Sequence, residues 1–443
     1  RSPHSAFSAS RSGVRARSTR MQKNPCLDDE PMRAEKPAVF VFGRTINALA
    51  IIRSIGSRGV RTVMVDSHPD EIAFYSRFCD QKVRIHEMSE DPELVLHELI
   101  DAAGKQDQRP VLLCTRDEYL VFLSKYQTIL QDHFIFSLPE PDMVSTIIDK
   151  RLLAQFALQR GIPHPRAYAV RTGEEAAILS QDLCYPVIIK PPASHKAGQE
   201  QKWMGQKLLI AHDHFELLNY LEEFGKDRID ILIQEQIPGP ETDIFACYAC
   251  FSRDSRPLAM MTLRKLRQYP IHFGYGCAEQ SDWVPEVAEL GVKVFTEMKY
   301  RGMGGVEFKC DARDGIYKMI EIDGRAPMNV GIAIASGVDL PWIAYCDLAG
   351  EDCIPTDSFK KGVKWFFFED DLAAYLQYRS RNEITLKDWV KTYRGQKSFA
   401  TLSCTDPLPF LVSITRFLKG IVRSNWHRIR RKLSLQNQHF IDY

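Results

Sequence analysis

The sequence predicts an α/β and α+β protein with a doubly wound N-terminal domain, a two-lobed unit after it and a small C-terminal region. Three observations carry this prediction. Strands alternate with helices from Ala38 onward, a middle segment has the order strand, loop, strand, helix, strand, and a hairpin within 302–327 carries three acids. We place the boundaries at 1–36, 37–149, 150–353 and 354–443, with a small lid lobe at about 185–237.

Length and composition exclude several classes of protein. The chain has 443 residues, 44% of them hydrophobic, which suits several globular domains. Its formal net charge of +1 provides no general attraction for nucleic acid. No apolar run reaches the roughly 18 residues that a membrane span requires. The 11 cysteines are scattered, and Cys247 and Cys250 lie in one apolar strand, so we expect reduced thiols and a cytoplasmic protein.

The first 20 residues contain five arginines and no acid, a composition that resembles a transit peptide. The chain begins with arginine, and Met21 is a natural start. We therefore interpret 1–36 as a disordered extension, native or derived from expression, that plays no part in the fold.

The N-terminal domain begins with the strand AVFVFG, a helix through INALAIIRSIGSRG and the strand VRTVMVD. This β-α-β order is typical of a parallel sheet. Asp66 ends the second strand, where dinucleotide-binding proteins often carry a ribose-binding acid. The loop GRTINA lacks the G-x-G-x-x-G spacing, however, so NAD binding is a distant alternative. Arg44, Asp117 and Glu118 lie at the predicted ligand edge and are candidates for contact with a carboxylate or an amine.

The middle of the chain predicts a small α+β lobe with a loop above a charged ligand. The strand YPVIIK ends on Lys190, and the polar stretch ASHKAGQEQKWMGQ follows it. Thr172 opens a helix with an acidic first turn. A helix through HDHFELLNYLEEF and the strand DILIQEQI complete the unit. The polar stretch is too poor in apolar periodicity for the core, which favours a lid.

The hairpin is predicted from the strand VEFKC, the turn ARDG and the return strand IYKMIEI. Glu321 and Asp323 are two residues apart and share one face, and Glu307 falls opposite Glu321 or within one residue of it. Three carboxylates on one face repel one another unless a cation lies between them. Hard oxygen ligands suit Mg²⁺, and Arg325 is placed to contact a phosphoryl or carboxylate oxygen.

The last 36 residues include a basic amphipathic stretch from Phe410 to Lys432. Apolar residues from Leu411 to Trp426 fall near helical spacing, and arginines and lysines surround them. The pattern fits a packed C-terminal helix with a solvated face. It also fits peripheral contact with an anionic membrane or with a protein partner.

Several sequence features occur in an order that resembles the ATP-grasp superfamily, in particular its carboxylate–amine ligases with a C-terminal extension. They are Lys150, Lys190, QEQIPGPE, RKLRQYP, GVEF and EIDGR. The resemblance covers about Pro37 to Glu351. It implies a pre-ATP-grasp domain, then a two-lobed ATP-grasp fold, and it allows a homodimer.

The resemblance also implies a role for each feature. It implies that the nucleotide is ATP and that its ligands are Lys150, Lys190, Gln234, Glu235, Gln236, Ile237 and Glu241. It implies that Mg²⁺, with Mn²⁺ as an alternative, binds Glu307, Glu321 and Asp323. It implies that the catalytic cations are Arg325, Lys265 and Arg264, with Arg267 as a substitute on the face of Lys265. The lid loop has few glycines, so His195, Lys196 or Lys207 is the substitute for a glycine-rich phosphate cradle.

The activity that this resemblance implies is ATP-dependent ligation of a small-molecule carboxylate, amino-acid-like, to an amine through an acyl phosphate. Two alternatives stay open. One is carbamoyl- or carboxy-phosphate chemistry with bicarbonate at the same residues, and the other is a non-catalytic nucleotide-binding module that recruits partners.

Overall fold

The computed structural model describes residues 36–192, 208–224, 230–352, 355–356 and 358–420. The strands are β1 Val39–Phe42, β2 Thr62–Asp66, β3 Gln81–Arg84, β4 Val111–Cys114, β5 Ala167–Val170, β6 Val187–Lys190, β7 Leu209–Ala211, β8 Ile231–Glu235, β9 Ile244–Phe251, β10 Pro257–Tyr269, β11 Tyr275–Ser281, β12 Gly302–Cys310, β13 Tyr317–Asp323, β14 Lys364–Phe366 and β15 Lys397–Phe399. The helices are α1 Ile46–Gly56, α2 Pro92–Ala103, α3 Asp117–Lys125, α4 Gln127–Leu130, α5 Pro141–Ile148, α6 Lys150–Gln159, α7 Gly173–Leu179, α8 His214–Phe224, α9 Pro285–Glu297, α10 Gly331–Ser336, α11 Leu340–Ala349, α12 Phe368–Ser380 and α13 Leu386–Thr392.

The N-terminal sheet is parallel and has the order β3-β2-β1-β4. Its strand β1 is an uninterrupted apolar run because helices and neighbouring elements cover both of its faces. Val39 and Val41 enter one core, and Phe40 and Phe42 enter the other. The carboxyl ends of β1 and β4 lie side by side at the point where the strand order reverses, which is the usual ligand edge of such sheets. The predicted doubly wound domain is confirmed.

A four-stranded antiparallel sheet, β5-β8-β6-β7, forms the small lobe. Helices α7 and α8 pack on it through Ala176, Leu217 and Leu221. The side chain of Thr172 accepts a hydrogen bond from the N–H of Glu175, which caps α7 as expected. The lobe begins with β5, earlier than the predicted start at about 185. The lid segment of 193–207, with its candidate phosphate ligands, lies outside the described residues.

The large sheet has seven strands in the order β13-β12-β9-β10-β11-β14-β15. Its pairs are antiparallel except β14 with β15. Strand β9 is buried on both faces, and Cys247 and Cys250 therefore enter different cores. This agrees with the predicted opposite facing of the two residues.

The C-terminal region is not a separate body. Strands β14 and β15 extend the edge of the large sheet beyond β11, and α12 packs against β10 and β11. A further helix includes 408–420, and the rest of the predicted basic tail lies outside the described residues. Within the described ranges, no helix combines the length and apolarity that crossing a bilayer demands.

Candidate active site

A cleft of about 440 Å³ lies between the small-lobe sheet and the large sheet. Its walls come from β6, β8, β10, β12 and β13 and from the loops that follow β8 and β10. The cleft contains ten of the thirteen sequence-predicted site residues, namely Lys150, Lys190, Gln234, Glu235, Gln236, Ile237, Glu241, Lys265, Glu307 and Glu321. Arg264, Asp323 and Arg325 are not among its lining residues. Long-range folding thus brings together residues that span more than 170 positions of the sequence.

The hairpin of β12 and β13 has the predicted register. Glu307 lies opposite Glu321, and Gly305 lies opposite Asp323, with a β-bulge after Glu307. Glu307 and Glu321 both face the cleft. Two carboxylates from neighbouring strands are a donor set that suits Mg²⁺, which commonly takes one or two protein carboxylates and completes its shell with phosphate oxygens and water.

The third predicted metal ligand, Asp323, forms an ion pair with Arg325. Oδ1 of Asp323 lies 2.9 Å from Nη2 of Arg325. Burial raises the pKa of Asp323 to about 7, although the Arg325 charge opposes that rise. Among the residues that the structure describes, no three His, Cys, Asp or Glu side chains converge closely enough to hold a metal ion. The structure therefore brings two of the three predicted ligands together and leaves Asp323 beside its arginine.

Strand alternation separates the two predicted cations of β10. Nζ of Lys265 is buried in the cleft, 2.7 Å from Oε2 of Glu307. Burial lowers the pKa of Lys265, but the Glu307 carboxylate, together with the charges of Glu279 and Glu321, more than offsets this, so the net pKa is raised. The side chain of Arg264 points to the other face, with its Nε 3.9 Å from Asp282. Because consecutive residues of a strand alternate, the structure brings Lys265 to the cleft and does not bring Arg264 there.

The substitute cation that the sequence suggested also leaves the cleft. A β-bulge between Lys265 and Arg267 breaks the alternation of β10. Nε of Arg267 lies 2.6 Å from Oδ1 of Asp371 in α12, and both side chains are buried. A bulge adds one residue to a strand and re-aims the side chains after it. Arg267 is therefore committed to the C-terminal region.

Arg325 connects the hairpin with the N-terminal domain. Its Nε lies 3.1 Å from Oδ1 of Asp117, the first residue of α3. Asp117 was a candidate for contact with substrate, and the structure instead gives it an internal partner. Glu118 pairs with Arg116, whose Nε lies 2.6 Å away. The Asn47 side chain donates hydrogen bonds to the carbonyls of Thr115 and Ala326, which joins the same two parts of the molecule.

The segment predicted to contact adenine lies at the end of β8 and in the linker that follows it. The N–H of Glu235 donates to the carbonyl of Arg166, and the N–H of Gln236 donates to the carbonyl of Pro186. Ile237 is buried in the cleft. Because the protein itself engages two of the N–H groups, we expect adenine to use the backbone on either side of Gln236. Arg313, in the turn of the hairpin, ties this linker down through Glu235 at 2.6 Å.

The predicted ribose ligand Glu241 has two protein partners that sequence reasoning missed. Nδ1 of His272 lies 2.9 Å from its Oε1, and the Tyr378 hydroxyl donates to its Oε2. Neither position carried a recognisable motif, and Tyr378 comes from the C-terminal region. A third missed residue, Lys309, had a usable signal, because it follows Glu307 by two positions on the same strand face.

A buried carboxyl group, that of Glu279, lies beside Lys265. Glu279 on β11 is the cross-strand partner of Lys265 and is fully buried. Its Oε1 accepts a hydrogen bond of 2.5 Å from Nδ2 of Asn329. Burial raises the pKa of Glu279 to about 8, and the Lys265 charge only partly opposes the rise. The folded protein therefore binds the proton of the Glu279 carboxyl group more tightly than the unfolded chain does.

This raised pKa predicts a pH dependence of stability. Between the ordinary carboxyl value of 4.5 and about 8, the folded state holds a proton that the unfolded state has lost. The free energy of unfolding should fall as pH rises through this window, by up to ~1.4 kcal/mol per pH unit from this group. We expect Glu279→Gln to match the wild type at pH 4.5 and to exceed its stability at pH 8.5. Urea unfolding of the metal-free proteins measures this, and parallel pH profiles would contradict it.

Comparison with curated proteins supports the assignment of the fold, although no family model matches the chain. Three relatives are bacterial or archaeal enzymes. D-aspartate ligase from Enterococcus faecium is 24% identical over 281 residues, which are 60% of this chain and 65% of that one. Biotin carboxylase from Nostoc sp. is 25% identical and covers 68% of both chains. The C-terminal section of the carbamoyl phosphate synthase large chain from Methanopyrus kandleri is 25% identical over 48% of this chain. The chain spans 65% of the D-aspartate ligase and 39% of the carbamoyl phosphate synthase section.

Solved structures share the fold. The biotin carboxylase domain dimer of 2-oxoglutarate carboxylase from Hydrogenobacter thermophilus, in complex with MgADP and bicarbonate, has a TM-score of 0.58 at 19% identity. It covers 75% of this chain and 74% of its own. The L-amino acid ligase from Bacillus licheniformis has a TM-score of 0.54 at 13% identity, over 71% of this chain and 74% of that one. These similarities show that the chain has the ATP-grasp fold.

Proposed function

We propose that the protein is an ATP-dependent ligase that joins a carboxylate to an amine, with amino-acid-like substrates. The observation that supports this most directly is the cleft itself. Lysines from the small-lobe side, Lys150 and Lys190, and the paired carboxylates of Glu307 and Glu321 line one cavity. Cations for phosphates and hard oxygen ligands for a divalent ion in one cleft suit a magnesium nucleotide.

In this proposal the nucleotide lies across the linker after β8. The backbone of Gln234 to Ile237 contacts adenine, and Glu241 contacts the ribose. Lys150 and Lys190 neutralise the α- and β-phosphates. Lys265 acts near the transferred phosphoryl group. Arg325 does not line the cleft, and it reaches this group only by leaving Asp117 or Asp323. Arg264 is left out because it lies on the opposite strand face.

Glu307 and Glu321 would hold Mg²⁺, for which Mn²⁺ is the alternative. The ion supplies charge neutralisation to the phosphoryl oxygens, which is most of what phosphoryl transfer requires of a protein. Asp323 can join them only if it leaves Arg325, so we assign it a supporting role through that arginine.

The chemistry balances without a redox partner. A substrate carboxylate oxygen attacks the γ-phosphorus, the bond to the β-phosphate oxygen breaks, and ADP leaves. The amine nitrogen then attacks the acyl carbon of the acyl phosphate, inorganic phosphate leaves, and the amine loses a proton to water or base. The protein orients the reactants and keeps water from the acyl phosphate.

One second function is favoured by a specific observation, since two of the three relatives above are a biotin carboxylase and a carbamoyl phosphate synthase. In that alternative, bicarbonate takes the place of the carboxylate, and carboxy phosphate forms at the same residues.

A single assay separates these functions. The full chain is incubated with ATP and Mg²⁺ and with carboxylates, amines or bicarbonate, alone and in pairs, while ADP and phosphate are measured. We expect ADP release only when a carboxylate and an amine are both present. Release with bicarbonate and no other carboxylate would favour the alternative. Nucleotide binding without any stimulated release would indicate a non-catalytic module.

We also propose two interactions with partners, a homodimer and contact of the basic tail with anionic membranes. A homodimer is tested by light scattering of the full chain. Contact of the basic tail with anionic membranes is tested by binding to vesicles of phosphatidylserine and phosphatidylcholine. A monomer, or equal binding to vesicles without phosphatidylserine, would contradict the respective proposal.

A further inference from the structure

We propose that helix α12 of the C-terminal region is part of the nucleotide site and that Tyr378 is a positioning residue for Glu241. Its hydroxyl, together with His272, holds the Glu241 carboxylate in the orientation that reads the ribose hydroxyls. This inference rests on the proposed nucleotide site. It adds to that site a residue that sets specificity for the ribose hydroxyls. This residue comes from the C-terminal region, which the sequence predicts to be an extension.

The direction of the hydrogen bonds follows from the donors around Tyr378. The backbone N–H of Gln268 lies 3.4 Å from the Tyr378 hydroxyl oxygen and can only donate to it. The hydroxyl hydrogen is therefore available for Oε2 of Glu241, which can only accept when ionised. On the other side, Nδ1 of His272 lies 2.9 Å from Oε1. Among the residues that the structure describes, each carboxylate oxygen thus has one hydrogen-bonding partner, and these two contacts hold the group in one rotation.

Tyr378 is held firmly enough to act in this way. Its side chain is buried against Cys277 and Ala374, and its ring meets His272 edge-on at 5.8 Å. Asp371 lies seven residues earlier, two turns along the same helix face. Its buried ion pair with Arg267 anchors α12 to β10, the strand that continues into Gln268. The C-terminal helix and the cleft wall are therefore one rigid unit at this point.

The C-terminal region also orients His272. Its Nε2 lies 3.4 Å from Oε1 of Glu383, which follows α12. The loop that carries His272 is further tied by Gln268, whose Nε2 donates to the His272 carbonyl at 3.2 Å. Both partners of Glu241 thus depend on residues beyond position 370.

The arrangement leaves Glu241 able to bind two neighbouring hydroxyls. An ionised carboxylate accepts about four hydrogen bonds, two at each oxygen, and the described part of the chain uses one at each. Removing the Tyr378 hydroxyl frees Oε2 and lets the carboxylate rotate away. The loss should therefore appear with nucleotides that carry ribose hydroxyls and not with nucleotides that lack them.

The test is a binding titration of the full chain with ATP and with 2′,3′-dideoxy-ATP, each with Mg²⁺. We expect Tyr378→Phe to bind ATP about five- to tenfold more weakly, which is the size of one ordinary lost hydrogen bond. Its affinity for the dideoxy nucleotide should stay within about twofold of wild type, so the discrimination ratio falls. The matched control is Tyr375→Phe, one turn earlier on α12, whose hydroxyl contacts Arg379 at 2.5 Å. That variant should keep both affinities.

A second variant keeps the proposal falsifiable if Tyr378→Phe does not fold. His272 has a positive φ of 76°, a conformation that asparagine tolerates. His272→Asn should therefore fold, and we expect the same selective loss of ATP affinity. Equal losses for both nucleotides, or tighter ATP binding, would overturn the positioning role. Failure of the wild type to bind either nucleotide would overturn this inference together with the proposed function, whereas wild-type binding with an unchanged ratio in both variants would overturn this inference alone.

Discussion

Replacing Glu321 with glutamine is expected to reduce substrate-stimulated ADP release by at least about a hundredfold. Glu321 and Glu307 lie opposite each other on the hairpin and face the same cleft. Glutamine keeps the size and one acceptor oxygen of the side chain, but the pair loses half of its negative charge. A divalent ion binds an amide oxygen much more weakly than a carboxylate, so the phosphoryl oxygens lose their counter-charge.

The measurement is initial-rate kinetics across a Mg²⁺ titration. We expect the variant to require a higher Mg²⁺ concentration and to fall short of the wild-type rate at saturation. Glu297→Gln is the control. Glu297 lies on α9 and forms an exposed ion pair with Arg160, so this substitution makes the same chemical change at a different place. Wild-type activity of Glu321→Gln at ordinary Mg²⁺ would remove the hairpin from the catalytic site. Equal thermal midpoints for the two variants would exclude unfolding as the cause.

Replacing Asp371 with asparagine is expected to cost about 3–5 kcal/mol of unfolding free energy. Asp371 and Arg267 are both buried, with Nε and Oδ1 2.6 Å apart. Trp389 and Tyr393 also donate to Oδ2 of Asp371, at 2.8 Å and 2.5 Å. The variant leaves a buried guanidinium without its counter-charge, and a guanidinium does not escape by losing its proton.

Arg267→Gln should cost less than Asp371→Asn, because a buried carboxyl left without its cation can take up a proton. Urea unfolding of the two variants and of the double variant measures the difference. The double variant should recover part of the loss, since neither charge then stays buried alone. The exposed pair of Glu297 with Arg160 again provides the control, and its disruption should leave stability unchanged. Equal costs for the buried and exposed pairs would contradict this account.

Local patterns were sufficient to predict the hairpin and both of its acids in the cleft. The turn ARDG separates two strands of alternating character, and alternation with antiparallel pairing sets Glu307 opposite Glu321. The parallel sheet followed likewise from short apolar runs between helices. The resemblance pointed to Lys150 and Lys190, and each lies at the boundary of a strongly patterned element. In all these cases, the position of the residue depends on neighbours within one or two secondary-structure elements.

Predictions that needed a long-range partner failed or stayed incomplete. Arg264 and Lys265 are adjacent in sequence, and only the pairing of β10 with its neighbours decides which of them enters the cleft. Asp323 has the right alternation, yet Arg325 and the distant Asp117 determine its surroundings. The bulge that turns Arg267 away is also set by the sheet and carries no sequence signal of its own.

By itself, the sequence predicted the doubly wound domain and the hairpin, because periodicity and turn chemistry act over a few residues. The residues proposed to bind a magnesium nucleotide came from the resemblance of their order to the ATP-grasp superfamily. The tertiary structure alone decided which of those side chains share the cleft. It also decided that β14 and β15 complete the large sheet, and that α12 packs on this sheet and places Tyr378 against Glu241. These outcomes depend on strand order and on buried ion pairs between residues about 100 or more positions apart, as between Arg267 and Asp371, for which a linear pattern contains no signal.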